Sequence, residues 1–252
     1  MSYPLVAEEL DNACRTGSVK AVYCQPNAQN PIGTSLSNER RRAIAEAARR
    51  CDISIVEDDT YSYMAQDGAR PIATLAPERT LYITTLTKCL LAGLRVGYLV
   101  TPEGSSATHE RALMNSGALG AMPATISVEL ASHWIESGMA DRTAKAKREE
   151  ARARQQLARK ILGAIESPTC ADSPHLWLVL PEPWRAADFV ARARRAGVAV
   201  SSPEAFAIGR AAAPHAVRIC LATPPTREEL ASGLQRLAAI LASSPAPTAA
   251  VV

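Results

Sequence analysis

Thr85-Leu-Thr-Lys88-Cys-Leu-Leu-Ala-Gly-Leu-Arg95 carries the strongest signal in this chain. It places one lysine in an uncharged, mostly apolar run, with two hydroxyl side chains just before it and one arginine two turns after it. Such surroundings predict a buried Lys88, and burial lowers the pKa of a lysine because desolvation disfavours the charged form. The segment therefore predicts an amine that can act as a nucleophile.

The groups around Lys88 suit a phosphorylated aldehyde. A neutral amine condenses with an aldehyde to form a Schiff base. The hydroxyls of Thr85 and Thr87 and the guanidinium of Arg95 could together hold a phosphate. An aldehyde that carries a phosphate describes pyridoxal 5'-phosphate (PLP). Taken alone, the segment also fits a surface lysine whose aliphatic stem covers apolar neighbours.

A membrane span from Leu81 to Val100 is a further alternative, because this run is long and apolar. Lys88 and Arg95 both lie inside it, and each costs roughly 2.5–3.5 kcal/mol near the centre of a bilayer. Each aliphatic residue contributes a favourable insertion free energy of at most roughly 0.6 kcal/mol, and the sum of these contributions hardly offsets the cost of the two charges. We therefore reject the span and expect no membrane partner.

Two earlier segments add polar groups that follow strand-like runs. Cys24-Gln-Pro-Asn-Ala-Gln-Asn30-Pro-Ile-Gly33 follows one such run, and Ile53-Ser-Ile-Val56-Glu-Asp58-Asp59-Thr-Tyr61 is another that ends in carboxylates and a phenol. The first is by itself a turn signal. The two aspartates of the second could lie in a solvated loop or bind a divalent metal. No convincing third ligand accompanies them, so we predict no metal.

The three segments, in this order, resemble the fold-type I PLP enzymes, the class I and II aminotransferases. The closest likeness is to the aminotransferase-like domain of MocR-type regulators. There the pattern is Gln-Asn-Pro-Thr-Gly, then Glu-Asp-Asp-x-Tyr, then Ser-x-Ser-Lys with Gly-Leu-Arg-x-Gly behind it. This chain departs mildly, with Ile32 where Thr is usual and Thr85 and Thr87 where Ser is usual. The resemblance covers essentially the whole chain.

This resemblance implies a role for each matching residue. Lys88 is the Schiff-base lysine. Asp58 faces the pyridine nitrogen of PLP, and its charge keeps that nitrogen protonated so that the ring can accept electrons. Tyr61 and Asn30 hydrogen-bond the phenolic oxygen of the ring. The residues that hold the phosphate are Thr85, Thr87 and Arg95.

Arg218 matches the arginine that binds the α-carboxylate of the substrate in this family. A planar guanidinium suits a carboxylate because it can bind both oxygens at once. Arg218 also lies among apolar residues in the strand-like run Ala216–Leu221. A charge that protects an edge strand from aggregation is therefore the alternative.

The implied fold is α/β, a three-layer sandwich with a mostly parallel sheet, of the PLP-dependent transferase type but incomplete, plus a small C-terminal α+β domain. Short apolar runs between helices independently predict a parallel sheet that is covered on both faces. Ligands of such sheets bind outside the carboxyl ends of the strands. Asn30, Asp58, Tyr61 and Lys88 all follow predicted strands, so we expect them to share one site.

The sequence pattern predicts a partial PLP-binding large domain over residues 1–140, a small domain over 141–242 and a disordered tail over 243–252. Ser37 is the expected N-cap of a helix that ends near Cys51. A long helical stretch, broken near Gly138, is expected over 105–165. The remaining predicted strands are 20–24, 53–56, 81–84, 96–100, 175–180, 198–201 and 216–221, and the remaining helices are 185–196 and 226–241.

Composition narrows the class of protein. The 252 residues include 47% hydrophobic residues, which is ample for a buried core. A net charge of +3 is too small to indicate a nucleic-acid partner. Six cysteines without a Cys-x-x-Cys pair, together with the lack of a signal-peptide pattern, indicate reduced thiols and a cytoplasmic protein.

Full-length members of the family carry a long further segment before the region that matches Leu5–Gly17. It holds a phosphate-binding glycine loop and an aromatic residue that stacks on the ring, so we expect this chain to be N-terminally truncated. The resulting hypothesis is a PLP-dependent aminotransferase, a homodimer that moves an amino group between an amino acid and a 2-keto acid. The alternatives are a PLP-binding effector module of a MocR-type transcription regulator and an inactive fragment.

Overall fold

The computed structural model describes residues 5–65, 68–118, 122–163, 167–208 and 213–243. The chain divides into two compact units, the first made of residues 1–29 and 34–148 and the second of residues 30–33 and 149–252. The boundary expected near Asp141 stays a prediction. Beyond Ser243, the expected disordered tail lies outside the described residues.

The first unit is built on a four-stranded sheet with its strands in chain order. Strands β1 and β2 pair in parallel, as do β2 and β3, whereas β3 and β4 are antiparallel. This mostly parallel sheet is the arrangement that the sequence predicted. The strands are β1 (Ala21–Cys24), β2 (Ser54–Asp58), β3 (Thr80–Thr85) and β4 (Gly97–Val100).

One face of this sheet packs against two helices, α1 (Ala7–Thr16) and α2 (Asn38–Arg50). Helix α2 starts as expected, because the Ser37 hydroxyl accepts a hydrogen bond from the backbone N–H of Arg40 at 3.3 Å. The apolar residues of α2 and β2 bury together on this face. The members of this core include Leu10, Val22, Ile44, Ile55 and Ile72.

The expected burial of the sheet on both faces is wrong for the described residues. Side chains alternate across a strand, so β1 buries Val22 and Cys24 and exposes Ala21 and Tyr23. Tyr23 is 60% exposed. All four residues of β4 are exposed as well. The face away from α1 and α2 is therefore open in this unit.

Most of the described chain after β4 in the first unit is helical, and its last helix continues into the second unit. The expected long stretch consists of α4 (Ser106–Ala118), α5 (Thr125–Glu136) and α6 (Met139–Leu162), and the predicted break at Gly138 is confirmed. The predicted end of the stretch, near residue 165, lies outside the described residues. Lys88 lies on the short helix α3 (Leu86–Cys89). In the described ranges, no helix combines the length and apolar character that a bilayer crossing needs.

The second unit packs α7 (Ala186–Arg195) and α8 (Arg227–Ala242) around an antiparallel pair, β5 (His175–Val179) and β6 (Ala216–Cys220). Its core contains Leu176, Leu178, Trp184, Phe189, Leu234 and Leu237. Part of α6, from Glu149 onward, belongs to this unit.

The predicted strand over 198–201 is wrong. Only Ser201 bridges to β6, through two backbone hydrogen bonds of 2.9 Å with Arg218. The Val198 N–H instead donates a hydrogen bond of 2.9 Å to the Ala193 carbonyl and caps the C-terminal end of α7. The start of the segment is therefore used as a helix cap and cannot extend the sheet.

Candidate active site

Asp58 is the last residue of β2, and four donors hold its carboxylate. Its Oδ2 accepts hydrogen bonds from the Tyr23 hydroxyl at 2.6 Å and from Gln25 Nε2 at 2.8 Å. Its Oδ1 accepts from the hydroxyl and the backbone N–H of Thr60. Burial acts to raise the pKa of Asp58, but these hydrogen bonds outweigh it and hold the pKa below its usual value. The site therefore presents a fixed, ionised carboxylate.

Asp59 has a different role from its neighbour. It is 2% exposed, and its carboxylate accepts hydrogen bonds from Asn27 Nδ2 at 2.7 Å and from the Tyr82 hydroxyl at 3.1 Å. Desolvation raises its pKa. Asp58 and Asp59 thus belong to two separate hydrogen-bond networks. This arrangement does not favour the alternative in which both bind one metal ion.

The loop after β2 is joined to the last residues of β3 at the sheet edge. The Asp59 N–H donates to the Ile83 carbonyl at 2.7 Å, and the Thr84 hydroxyl lies 3.1 Å from the Asp59 carbonyl oxygen. Tyr61 follows directly in this loop and is half-buried, with its ring 6.3 Å from that of Tyr63. Since β2 and β3 are parallel neighbours, Asp58 and Lys88 follow the same edge of the sheet.

Lys88 is exposed, so the expectation of a buried lysine is wrong. The reason is helical geometry: α3 turns Cys89 into the interior, where it is 8% exposed, and leaves its neighbour Lys88 on the outer side. The amine of Lys88 makes no hydrogen bond within the part of the chain that the structure describes. It is accessible to a ligand at the carboxyl end of β3.

Thr85 and Thr87 form the start of α3. The Thr85 hydroxyl lies 2.8 Å from both the Thr87 hydroxyl and the Val96 carbonyl, and it accepts the Thr87 N–H at 3.1 Å. Thr85 is therefore the N-cap of α3 as well as a predicted phosphate ligand. Its contact with Val96 also ties α3 to the start of β4.

Arg95 precedes β4, which runs antiparallel to β3, so it lies at the same sheet edge as the end of β3. Its backbone adopts a left-handed conformation with φ of 53°. Arg95 is exposed, and its guanidinium makes no hydrogen bond or ion pair among the residues described. A guanidinium that has no partner among the described residues is suited to an anion.

The second unit holds Asn30 and Arg218 together. Arg218 Nη1 donates to Asn30 Oδ1 at 2.8 Å, and Nη2 donates to the Ser201 hydroxyl at 3.0 Å. The guanidinium carbon lies 5.1 Å from the centre of the Phe206 ring. Arg218 pairs with β5 on one side and with Ser201 on the other, so it is not an edge residue. Its buried Nε has no hydrogen-bond partner in the described ranges.

The loop that carries Asn30 is fixed within the second unit by its own backbone. The Ile32 carbonyl accepts from the Thr169 hydroxyl at 2.6 Å, and the Gly33 carbonyl accepts from the Cys170 N–H at 2.9 Å. Gly33 has a φ of +76°, and a Cβ there would lie 2.6 Å from side-chain atoms of both Thr169 and Ser173. Only glycine fits this position, which explains the end of the Asn-Pro-Ile-Gly motif.

Comparison with known families agrees with this geometry. The profile of the family described as aminotransferase class I and II matches residues 3–237 of the chain. The chain belongs to this family. Its membership confirms the predicted family and the fold of the PLP-dependent transferases, and it supports PLP as the cofactor.

Individual relatives of this aminotransferase-family chain include regulators and enzymes. It is 29% identical over 234 residues to the uncharacterized HTH-type transcriptional regulator YdeF of Bacillus subtilis, over 93% of this chain and 50% of that protein. It is 35% identical over 103 residues to aromatic-amino-acid aminotransferase 1 of Thermococcus litoralis, over 39% of this chain and 25% of that protein. The chain spans about half the length of the curated regulator that it matches.

Solved aminotransferases share its fold. The crystal structure of an archaeal alanine:glyoxylate aminotransferase superimposes with a TM-score of 0.81 at 25% identity, over 93% of this chain and 59% of that one.

The described residues of this family member fit PLP. Asp58 supplies an ionised carboxylate for a protonated ring nitrogen. Arg95 supplies a guanidinium without a partner among the described residues, and Thr85 and Thr87 supply two hydroxyls that lie 2.8 Å apart. Lys88 supplies an accessible amine. The first unit thus carries six of the predicted site residues at or just beyond one edge of its sheet, and the second unit holds Asn30 and Arg218 in direct contact.

Sequence reasoning missed Tyr23 and Gln25, which hold Asp58. The signal that could have found them is their position, because both lie at the carboxyl end of the strand next to β2. It also missed Lys147, whose Nζ donates to the carbonyls of Lys88 and Leu90. No local signal could have found Lys147, since it lies 59 residues from Lys88 in sequence.

Proposed function

We propose that this chain is the PLP- and substrate-binding part of an aminotransferase, which moves an amino group between an amino acid and a 2-keto acid. The observation that carries the proposal is the ionised Asp58 carboxylate, fixed by Tyr23, Gln25 and Thr60 at the sheet edge that also bears Lys88. An ionised carboxylate and an accessible lysine at one sheet edge are the two groups that this chemistry needs.

The residues that match the motifs of the family would hold the cofactor. Asp58 would bind the protonated ring nitrogen, and Tyr61 and Asn30 would hydrogen-bond the phenolic oxygen. Thr85, Thr87 and Arg95 would bind the phosphate. When bound, PLP supplies an aldehyde that condenses with amines and a ring that accepts the electron pair of the substrate α-carbon.

The chain's own residues then handle the substrate and its proton. Arg218 binds the α-carboxylate through its guanidinium, and its Nε, which has no partner among the described residues, supports a role for this side chain in binding an anion. The Lys88 amine, once an incoming amino group has replaced it, takes the proton from the substrate α-carbon as a general base. The same nitrogen would then deliver that proton, as a general acid, to the former aldehyde carbon (C4') of the cofactor.

Spectroscopy with added PLP tests the proposal. We expect the wild-type protein to develop a visible absorption band from the cofactor linked to Lys88, and we expect Lys88→Ala to lack it. Lys160→Ala, at an exposed site of the second unit, is the matched control and should keep the band. Equal spectra for wild type and Lys88→Ala would refute the assignment of Lys88.

An effector module of a transcription regulator is the second candidate. The observation that favours it is the match to YdeF, which covers 93% of this chain. Adding amino acids to the PLP-loaded protein separates the two functions. Loss of the visible band as the amine form of the cofactor accumulates supports the aminotransferase, whereas ligand binding with a persistent band supports the effector module. A protein that never develops the band would be the inactive fragment.

We further propose that the protein is a cytoplasmic homodimer that makes no nucleic-acid contact through these residues. The six cysteines, all unpaired in the structure, support a reducing compartment. Apolar side chains on the open surface of the first unit support a partner subunit, among them Leu113, Met114 and Ile126 at 61%, 73% and 69% exposure. Light scattering tests the assembly, and a monomer at all concentrations would contradict the dimer.

A further inference from the structure

The segment that bears Lys88 is held by a residue far away in sequence. Lys147, on α6, donates from Nζ to the backbone carbonyl of Lys88 at 3.1 Å and to that of Leu90 at 3.0 Å. Both carbonyls lie within or just beyond α3, on either side of Cys89. Helix α6 therefore reaches the backbone of the predicted Schiff-base lysine directly, through one ammonium group.

The carbonyls at the C-terminal end of α3 have no partner within the helix itself. A helix leaves its last carbonyls without intrahelical partners, and α3 has only four residues. The residues that follow are exposed, with Leu91 at 55%. Cys89 is the only buried residue of α3, and Thr85 caps its other end. The Lys147 ammonium thus satisfies two carbonyls that α3 leaves free at its C-terminal end.

The next residue of α6 makes a comparable contact elsewhere. Arg148 donates from Nε to the Tyr63 carbonyl at 2.9 Å, in the loop that follows Tyr61. Two successive side chains of α6 therefore bind the two segments that carry Tyr61 and Lys88. This arrangement allows the specific effect of Lys147 to be separated from the general docking of α6.

We propose that Lys147 is a positioning residue for Lys88: it fixes the carbonyls of the α3 segment and so holds the Lys88 amine where the cofactor aldehyde arrives. The proposal rests on the proposed function, because it takes Lys88 as the residue that bonds to PLP. Lys147 acts through the backbone and does not itself contact the cofactor.

The first experiment needs no cofactor and uses Cys89 as a reporter. Alkylation of Cys89 in the PLP-free protein, followed by peptide mass spectrometry, measures how often the α3 segment opens. Loss of the two charge-assisted hydrogen bonds in Lys147→Met should speed this alkylation roughly tenfold or more. Lys147→Arg, which keeps a charged donor, should restore a rate close to wild type. Lys147→Gln, which keeps one neutral donor group, should fall between them.

Two control variants make the result specific. Lys145→Met removes an exposed lysine from the same helix, and Arg148→Met removes the contact with Tyr63. Both should leave the alkylation rate of Cys89 near the wild-type value. An unchanged rate in Lys147→Met would overturn the proposal. An equal increase in Arg148→Met would also overturn it, because docking of α6 alone would then explain the effect.

The second experiment measures the consequence for the cofactor. We expect Lys147→Met to raise the PLP concentration needed for half of the visible band by roughly tenfold, with recovery in Lys147→Arg. An unchanged requirement for PLP would overturn the positioning role. If wild type forms no band while Cys89 still responds in Lys147→Met, the proposed function fails but the restraint of the α3 segment stands. The two failures are therefore distinguishable.

Discussion

Glu57, Asp58 and Asp59 are three successive carboxyl groups in two kinds of surroundings. Alternation along β2 sends Glu57 to the face covered by helices and leaves Asp58 on the open face. Burial raises the pKa of Glu57 to about 7 and also raises the pKa of Asp59. Hydrogen bonds keep the pKa of Asp58 low despite its partial burial. Asp58 is thus the member of the trio that is most firmly ionised at neutral pH.

Glu57 should make stability fall with rising pH. Its carboxyl oxygens accept the backbone N–H groups of Ile72 and Ala73 at 2.8 and 2.7 Å in a fully buried position. Between its ordinary pKa of 4.5 and its folded pKa of about 7, the folded state retains a proton that the unfolded state releases. The free energy of unfolding should therefore decrease over this window, by on the order of 3 kcal/mol, and stay low above it.

Glu57→Gln tests this sign, because glutamine cannot release the proton. The free energy of unfolding of wild type, taken relative to that of the variant, should decrease from about pH 5 to about pH 8. Urea denaturation at several pH values measures it. A difference that stays constant, or one that grows with pH, would show that folded Glu57 does not hold its proton in this window.

At the scale of an element, the loop 30–33 depends on one glycine. The Asn-Pro-Ile-Gly motif predicted a turn, and the structure adds two separate requirements at Gly33, a positive φ and the lack of a side chain. The positive φ costs an alanine roughly 1–2 kcal/mol. The contacts with Thr169 and Ser173 add an overpacking cost of roughly 1–3 kcal/mol. Neither contact could be deduced from the motif, since both partners lie far along the chain.

Gly33→Ala should therefore destabilise the second unit by roughly 2–5 kcal/mol. Gly163→Ala is the matched control, because Gly163 has a similar φ of +77° with no atom within 4 Å of the added Cβ. It should cost only roughly 1–2 kcal/mol. Chemical denaturation followed by tryptophan fluorescence, to which Trp177 and Trp184 of the second unit contribute, compares the two. Equal losses would mean that the contacts at Gly33 relax without cost.

The elements that sequence predicts best are those with local signals. Ser37 caps α2 as expected, and the carboxyl ends of β2 and β3 lie together because parallel neighbours must end at one edge. Tyr23 could not be placed on Asp58 from sequence, because their contact depends on the register of β1 against β2. The exposure of Lys88 could not be predicted either, since an apolar run does not reveal which side of a short helix is buried.

At the scale of the whole molecule, each unit has a hydrophobic core of its own. The first core contains Ile44 and Ile55, both fully buried. The second contains Phe189, which is also fully buried and packs edge-on against Trp184 with ring centres 5.6 Å apart. Helix α6 contributes to both units, through Arg148 to the first and from Glu149 onward to the second. Separate cores predict that the units open in separate cooperative steps.

Core truncations in each unit test this expectation. Phe189→Ala should destabilise the second unit by about 3–5 kcal/mol, and Ile44→Ala should destabilise the first by about 2–5 kcal/mol. Hydrogen exchange read peptide by peptide in denaturant distinguishes them, because α2 reports on the first unit and α8 on the second. Phe189→Ala should speed the exchange of α8 and leave α2 unchanged, and Ile44→Ala should do the reverse. If either substitution speeds the hydrogen exchange of α2 and α8 equally, the two cores unfold as one cooperative unit through the shared helix α6.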